Sequence, residues 1–403
     1  MSLATPKNYV PWRERQRRRA VEKKSAMAHR GSMDIPFLLL VLLLTGIGLV
    51  MLFSASFPSA YYETKGTNPA YYFKRQAIYA VLGLVAMFFL ANVNYQRLRG
   101  AAKPLLGFSI FLLVLVIIPG VGITVNRATR WLGIPGVFTF QPSEITKLAV
   151  ILYFGDSISK KKQRMLDWRQ GILPYAIILG IIAVLMLLEP HLSGTILIVG
   201  TGIIMLVVGG IPAKFAALGF GGVAAAAIAY VKAVEADIIS YGAGRIQMWH
   251  DPWLDAQDDG YQMVQSLIAI GSGGLLGVGL GKSRQKFLYL PEESNDFIFA
   301  VICEELGLIG VCVIMLIFSL LIIRGFWIAL HARDRFGALI VVGIMTHLGL
   351  QTFLNIAVVS GLVPATGISL PFFSYGGTAL ALQLVEMGIV LSVSRQIPAP
   401  REG

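Results

Sequence analysis

The sequence predicts an all-α integral membrane fold: ten transmembrane helices with a large extracellular loop that carries amphipathic or re-entrant helices. Three observations predict it. The 403 residues are 56% hydrophobic and only 14% charged. The apolar residues gather into runs of about 17–25, long enough to cross a hydrocarbon core. The basic residues fall mainly in segments that flank those runs on alternating sides, as the positive-inside rule requires. A bundle in lipid must satisfy its backbone polar groups within each helix, so the chain is expected to fold as one membrane unit with tails and loops.

Residues 1–34 form a basic tail with Arg13, Arg15, Arg17, Arg18, Arg19, Lys23, Lys24 and Arg30. Charge of this kind sets orientation and attracts anionic headgroups. The net charge of +12 is thereby explained by topology, and no nucleic-acid partner is expected. The membrane domain runs over 35–394, with spans near 35–57, 76–92, 104–119, 142–158, 171–188, 192–209, 212–231, 296–323, 336–358 and 374–394; a short C-terminal tail, 395–403, follows. An even number of spans puts both ends on one side, the cytoplasmic one. Arg97, Arg99 and Lys103, then Lys160 to Arg169, Lys214, and Arg324 to Arg335 agree, and about two-thirds of the 34 basic residues lie on that side. The first apolar run is too long for the core of a cleavable signal. The eighth span is longer than a crossing needs, so its ends are expected to tilt or protrude. Cys303 and Cys312, nine residues apart on one helix, face different directions and cannot bridge.

Two outer loops carry the information, 120–141 and 232–295. In the second, Gly260 to Gly271 sets Gln262, Gln265 and Ser266 against Met263, Leu267 and Ile268 at helical spacing, which predicts an amphipathic helix at the bilayer surface. Gly271 to Gly281 reads as a flexible or re-entrant turn. Gly277 to Ser283 approaches a nucleotide-binding loop but has Leu276 where that motif needs Gly, so nucleotide binding is excluded. The five histidines show no ligand spacing for zinc. No tightly bound cofactor is expected; a magnesium or manganese ion bridging a carboxylate and a substrate pyrophosphate is compatible with the residues.

Ionisable residues at membrane depth are costly and mark function or a structural ion pair. Glu144 and Lys147, three apart just after Gln141-Pro142-Ser143, are one such pair. Arg127, Arg130 and Trp131 place two guanidiniums and an indole on the outer loop, and the planar fork of Arg suits phosphate oxygens. Asp296 is expected in the first turn of the eighth span with Asn295 as N-cap, where an acid also steadies the helix dipole by about 0.3–1 kcal/mol. Glu304 then lies about 80° round the helix and about 12 Å deeper. Glu305 points to the opposite side, so the two acids are not expected to share a role.

Taken together, these segments resemble the SEDS (shape, elongation, division and sporulation) family of polytopic peptidoglycan glycosyltransferases. The resemblance runs through Phe53-Ser54-Ala55-Ser56, Phe140 to Glu144 with Lys147, Glu189-Pro190 with Gly194-Thr195, and Gly260-Tyr261-Gln262 with Gln265-Ser266. It continues in Gly279-Leu280-Gly281, Gln285-Lys286, Tyr289 to Glu292, Asp296 to Phe299 with Glu304-Glu305, Gly361-Leu362 and Leu370 to Gly377. Arg127 and Thr129 stand where the family often has Gly and Arg, so which arginine serves is left open; His191 stands where Asp is common. The opening and closing motifs are more like the division branch than the elongation branch.

The resemblance implies polymerisation of lipid II on the outer face of a bacterial cytoplasmic (inner) membrane, with Asp296 at the position of the family's essential aspartate. Arg127, Arg130, Trp131, Glu144, Lys147, Gln265, Lys286, Glu304 and Ser374 are the substrate-binding residues it implies. The partners implied are the growing glycan strand, a class B penicillin-binding protein and the wider cell-wall synthesis machinery. On the expected mechanism Asp296 is the general base, the anomeric configuration inverts, and undecaprenyl pyrophosphate leaves with help from Arg130, Lys147, Lys286 or a divalent ion. The alternatives are a lipid-linked oligosaccharide flippase or transporter, and a scaffold that only activates a penicillin-binding protein.

Overall fold

The computed structural model describes residues 31–125, 128–134, 138–235, 243–258 and 260–397. Twelve α-helices and a small sheet make up these residues: α1 (Ile35–Glu63), α2 (Tyr71–Asn92), α3 (Leu98–Ile117), β1 (Ile123–Val125), β2 (Ala128–Ile134), β3 (Phe138–Phe140), α4 (Pro142–Lys161), α5 (Leu173–Leu188), α6 (Leu192–Val208), α7 (Ala213–Glu235), α8 (Ala243–His250), α9 (Tyr261–Gly273), α10 (Ile298–Leu330), α11 (Arg335–Val359) and α12 (Gly377–Ser394). Helices occupy all ten positions expected for spans, with ends shifted by up to seven residues. Eight of them, among the described residues, are long and apolar enough to cross a membrane. The other two are α6, which has 17 residues, and α4, which carries Glu144, Lys147, Asp156, Lys160 and Lys161. The chain is a multi-pass membrane protein. Most of the basic tail lies outside the described residues.

Local chemistry sets the helix starts. Asp34 caps α1 by accepting from the Phe37 N–H, and Asp334 caps α11 by accepting from the Gly337 N–H. α11 and α12 are the most enclosed spans, and their side chains pack with α2, α4 and α10 into one core that includes Phe154, Phe318, Phe336, Phe373, Met345 and Met387. Elsewhere large apolar side chains face outward, as they must where the solvent is lipid: Phe89, Leu188, Ile323 and Leu330 are examples.

The outer loops hold more structure than the sequence predicts. Residues 120–141 contain an antiparallel sheet of order β1-β2-β3, with Leu132 opposite Phe140. The amphipathic helix forms as α9, but Met263, Val264, Ser266 and Ala269 are buried against α10, and the Ser266 hydroxyl donates to the Val359 carbonyl (2.8 Å). The buried face thus includes Ser266 from the expected polar side, while Ile268 from the expected apolar side stays exposed.

The glycine-rich turn after α9 forms a hydrogen-bonded strap, because α10 breaks to receive it. Gly307 adopts φ 64° and ψ −173° inside the helix. The break frees backbone groups on both sides, and the strap 274–279 takes them up. Val278 and Gly279 N–H donate to the Glu304 and Glu305 carbonyls (2.9 and 3.0 Å), while Leu308 and Ile309 N–H donate to the Gly274 and Leu275 carbonyls (2.9 and 3.1 Å). The excess length of the eighth span is thus a broken helix. Asn295 is not its N-cap either: the helix begins at Ile298 after Phe297, and Asp296 sits in the preceding turn.

Candidate active site

One cavity of about 1190 Å³ opens at the end of the bundle that carries the sheet and the segment before α10. Asp296, Arg130, Trp131, Glu144, Lys147 and Ser374 all line it. Residues from separate stretches of chain thus share one polar wall.

The Asp296 backbone is held from two sides. Asn355 of α11 donates from Nδ2 to the Asp296 carbonyl (2.8 Å) and to the Ile368 carbonyl (2.6 Å). The Ser374 hydroxyl donates to the Asn295 carbonyl (2.7 Å) and accepts from the Leu370 N–H (2.7 Å), and the Tyr375 N–H donates to the Ser294 carbonyl (2.8 Å). Gln76 of α2 closes the set, donating to the Ser374 carbonyl (3.1 Å) and accepting from the Gly376 N–H (3.2 Å). Beside the carboxylate lies Gly367, at φ 70°, where an added Cβ would come within 3.2 Å of Asp296 Oδ2. The space around that oxygen depends on a missing side chain. Ser374 is therefore placed at the site chiefly as a backbone clamp.

Lys147 and Glu144 form an ion pair of 2.7 Å on α4. Arg130 on β2 donates to the carbonyls of Glu189 (3.4 Å) and Pro190, so the guanidinium is pinned at the turn between α5 and α6. Burial pushes the Glu189 carboxyl up to about 8 against the pull of Arg130. In the same turn burial, with Arg130 and Lys147 adding to it, pushes His191 down to about 3. Near neutral pH both side chains are uncharged.

Three of the expected substrate-binding residues lie away from the cavity. Lys286 is 2% exposed and pairs with Glu305 (2.8 Å), and both reach the Ser54 hydroxyl of α1. Glu304 accepts from the Arg284 and Gln285 N–H groups (2.9 and 3.3 Å) and from the Ser283 hydroxyl (2.5 Å). The Ser283 N–H in turn reaches Glu305 (3.4 Å), so the two acids do share one role: both side chains tie residues 283–286, just after the strap, to α10. A strap crossing the helix surface meets neighbouring positions that a bare helix turns apart. Gln265, on α9, does not line the cavity. Arg127 lies outside the described residues.

The cavity also holds residues that sequence reasoning missed: His191, and, deep on α11 and α12, His347 and Glu386. Ionisable groups in the middle of apolar helices were the available signal. Among the described residues no group of three or more His, Cys, Asp or Glu is placed to hold a metal ion. A magnesium-type ion would need substrate oxygens for most of its ligands, with Asp296 or Glu144 as the carboxylate.

Among the described residues, the helical membrane bundle carries a large cavity at its loop-bearing end, with Asp296, its backbone held by neighbouring elements, on the wall. The chain belongs to the FtsW/RodA/SpoVE family of cell cycle proteins, whose model matches residues 35–398. It is 43% identical over 365 residues to stage V sporulation protein E of Bacillus subtilis, covering 90% of this chain and 97% of that protein. It is also 43% identical over 367 residues to the probable peptidoglycan glycosyltransferase FtsW of Geobacter sulfurreducens, covering 90% and 95%. Among solved structures it matches a chain from a peptidoglycan synthase complex that coordinates polymerization and crosslinking (28% identity, TM-score 0.73, 90% of this chain and 98% of that one). It matches the rod shape determining protein RodA of Thermus thermophilus as well (28% identity, TM-score 0.66, 91% and 98%).

Proposed function

We propose that this protein is a peptidoglycan glycosyltransferase that polymerises lipid II into glycan strands at the outer face of the bacterial cytoplasmic membrane. The observation that carries the reading is Asp296, its backbone held by neighbouring elements, on the wall of a cavity large enough for sugar and pyrophosphate groups. Family membership and the FtsW relatives support the chemistry.

Asp296 takes the proton from the acceptor sugar hydroxyl as its oxygen attacks the anomeric carbon of the donor. The bond from that carbon to the pyrophosphate oxygen breaks on the far side, undecaprenyl pyrophosphate leaves with the electron pair, and the configuration inverts. General-base assistance of this kind is worth about 10²–10⁴-fold. Arg130 and Lys147 supply positive charge for the departing pyrophosphate. A magnesium or manganese ion, where one is bound, would supply further charge neutralisation.

The opposite end of the bundle argues against a flippase. There Arg99 pairs with Asp334 (2.7 Å) and Asp156 (3.4 Å), Tyr95 donates to Asp334 (2.5 Å), and Lys160 pairs with Asp156 (2.6 Å). Transport would need this cluster to part. On the proposed orientation it faces the cytoplasm, with both termini, and the cavity faces outward. A class B penicillin-binding protein is the proposed partner, supported by the likeness to a chain of a complex that joins polymerization to crosslinking.

The test is purified protein in detergent with labelled lipid II. Wild type should give glycan ladders and Asp296→Asn should lose at least about 10² in rate. Ladders of equal intensity from both would sink the assignment of the base, and no ladder from wild type even with its partner would favour transport or scaffolding.

A further inference from the structure

The starts of α4 and α6 lie side by side on the cavity wall, joined by Gln141 Nε2 and His191 Nε2 at 3.1 Å. α4 opens on Pro142, and α6 opens after His191, whose side chain makes no capping hydrogen bond. Each start carries a serine, Ser143 and Ser193. Both line the cavity, both are 1% exposed, and neither hydroxyl has a hydrogen-bond partner among the described residues. His191 Nδ1, between them, is also unpartnered. A buried hydroxyl without a partner is costly, and these unpartnered donors sit where two helix dipoles present positive potential.

The charges around them suit an anion. Arg130 is pinned at the adjoining turn by the Glu189 and Pro190 carbonyls. Lys147 lies one turn below Ser143, and the one carboxylate on this stretch of α4, Glu144, is neutralised by it at 2.7 Å. Glu189, behind the turn, is held uncharged near neutral pH by burial.

We infer that the paired starts of α4 and α6 form the leaving-group subsite, in which Ser143, Ser193 and the α6 first-turn N–H groups receive the pyrophosphate of an isoprenoid carrier. The inference rests on the proposed function for the identity of the carrier. Helix starts bind phosphate oxygens through their free N–H groups, and hydroxyls rotated toward the cavity add charge-assisted bonds. The subsite lies on elements other than those that clamp Asp296, so base and leaving group are held by separate parts of the fold.

The experiment measures binding of radiolabelled undecaprenyl pyrophosphate to the purified full chain in detergent, beside undecaprenol and inorganic pyrophosphate. Each serine to alanine change should weaken undecaprenyl pyrophosphate binding about tenfold, leave undecaprenol binding unchanged and not lower the melting temperature. Ser193→Thr, which keeps a hydroxyl, should restore most of the loss. Wild-type affinity in the Ser143→Ala/Ser193→Ala variant overturns the subsite. So does an equal loss for undecaprenol, which marks a merely structural role. Displacement by inorganic pyrophosphate at the same concentration would assign the site to the soluble anion and overturn the carrier. Serine-dependent binding in a protein that makes no glycan would sink the proposed function and leave the subsite standing. Intact polymerisation with serine-independent binding would do the reverse.

Discussion

At the scale of single residues, the site depends on side chains that never touch substrate. Asn355 holds the carbonyls of both Asp296 and Ile368, so it sets the position of the base. Asn355→Ala should lower the polymerisation rate about tenfold while the pH dependence of the remaining activity stays as in wild type, since the base is displaced and not replaced. Glu189 gives a different expectation. Its folded carboxyl titrates near 8 against an ordinary value of 4.5, so the folded state holds its proton more tightly than the unfolded chain does. The associated stability is complete below about pH 4.5 and is lost as pH rises through about 8. Glu189→Gln should remove that loss, and melting curves in detergent from about pH 5 to about pH 9 would check it. If wild type and variant decline in parallel, Glu189 is not the group responsible. Asp296, Arg130, Trp131, Glu144 and Lys147 were legible because charge and aromatic groups stand out against apolar sequence; the clamp residues Asn355 and Gln76 carry no such mark.

At the scale of elements, α10 is broken at Gly307 and tied to the strap by backbone hydrogen bonds on both sides of the break. Gly307 occupies a conformation open essentially to glycine alone, and a Cβ there would meet the Gly277 N at 2.2 Å. Gly307→Ala should therefore cost at least about 1–3 kcal/mol and reduce activity through loss of the strap, read by melting temperature and by glycan ladders. The buried pair behind it makes a second expectation. Lys286→Met leaves Glu305 uncompensated and should cost about 3–5 kcal/mol, whereas pairing it with Glu305→Leu should recover much of that loss. Equal stability of the single and double variants would show that an uncompensated Glu305 carries no penalty, against the expectation. Glu304 and Lys286 were expected as substrate ligands from the family resemblance, and charge at membrane depth points to either function or structure. Which of the two holds depended on the strap, a contact between segments some twenty residues apart that helical periodicity does not describe.

At the scale of the whole molecule, the cavity is matched by a closed opposite end. Asp334 is at its centre: burial alone would raise its carboxyl, but hydrogen bonds from Tyr95, Gln96, the Gly337 N–H and Arg99 outweigh it and hold the group below its ordinary range. Its stability contribution is present above the ordinary value of 3.8 and is lost as pH falls through the lower folded one. Asp334→Ala removes the α11 cap along with these bonds and should cost about 1–3 kcal/mol. Polymerisation per folded molecule should be unchanged, because a polymerase need not open this end; a large change in turnover would point back to transport. The sequence by itself determined the helical membrane class, the helix positions, the family and a few of the polar residues on the cavity wall, Asp296, Arg130, Glu144 and Lys147 among them. These follow from apolar run length, charge asymmetry and residue type, all of which are local. Only the tertiary structure decided which charges face the cavity and which are tied into the strap, because that choice rests on a helix break and on contacts between distant segments, where burial and hydrogen bonding settle the role of each group.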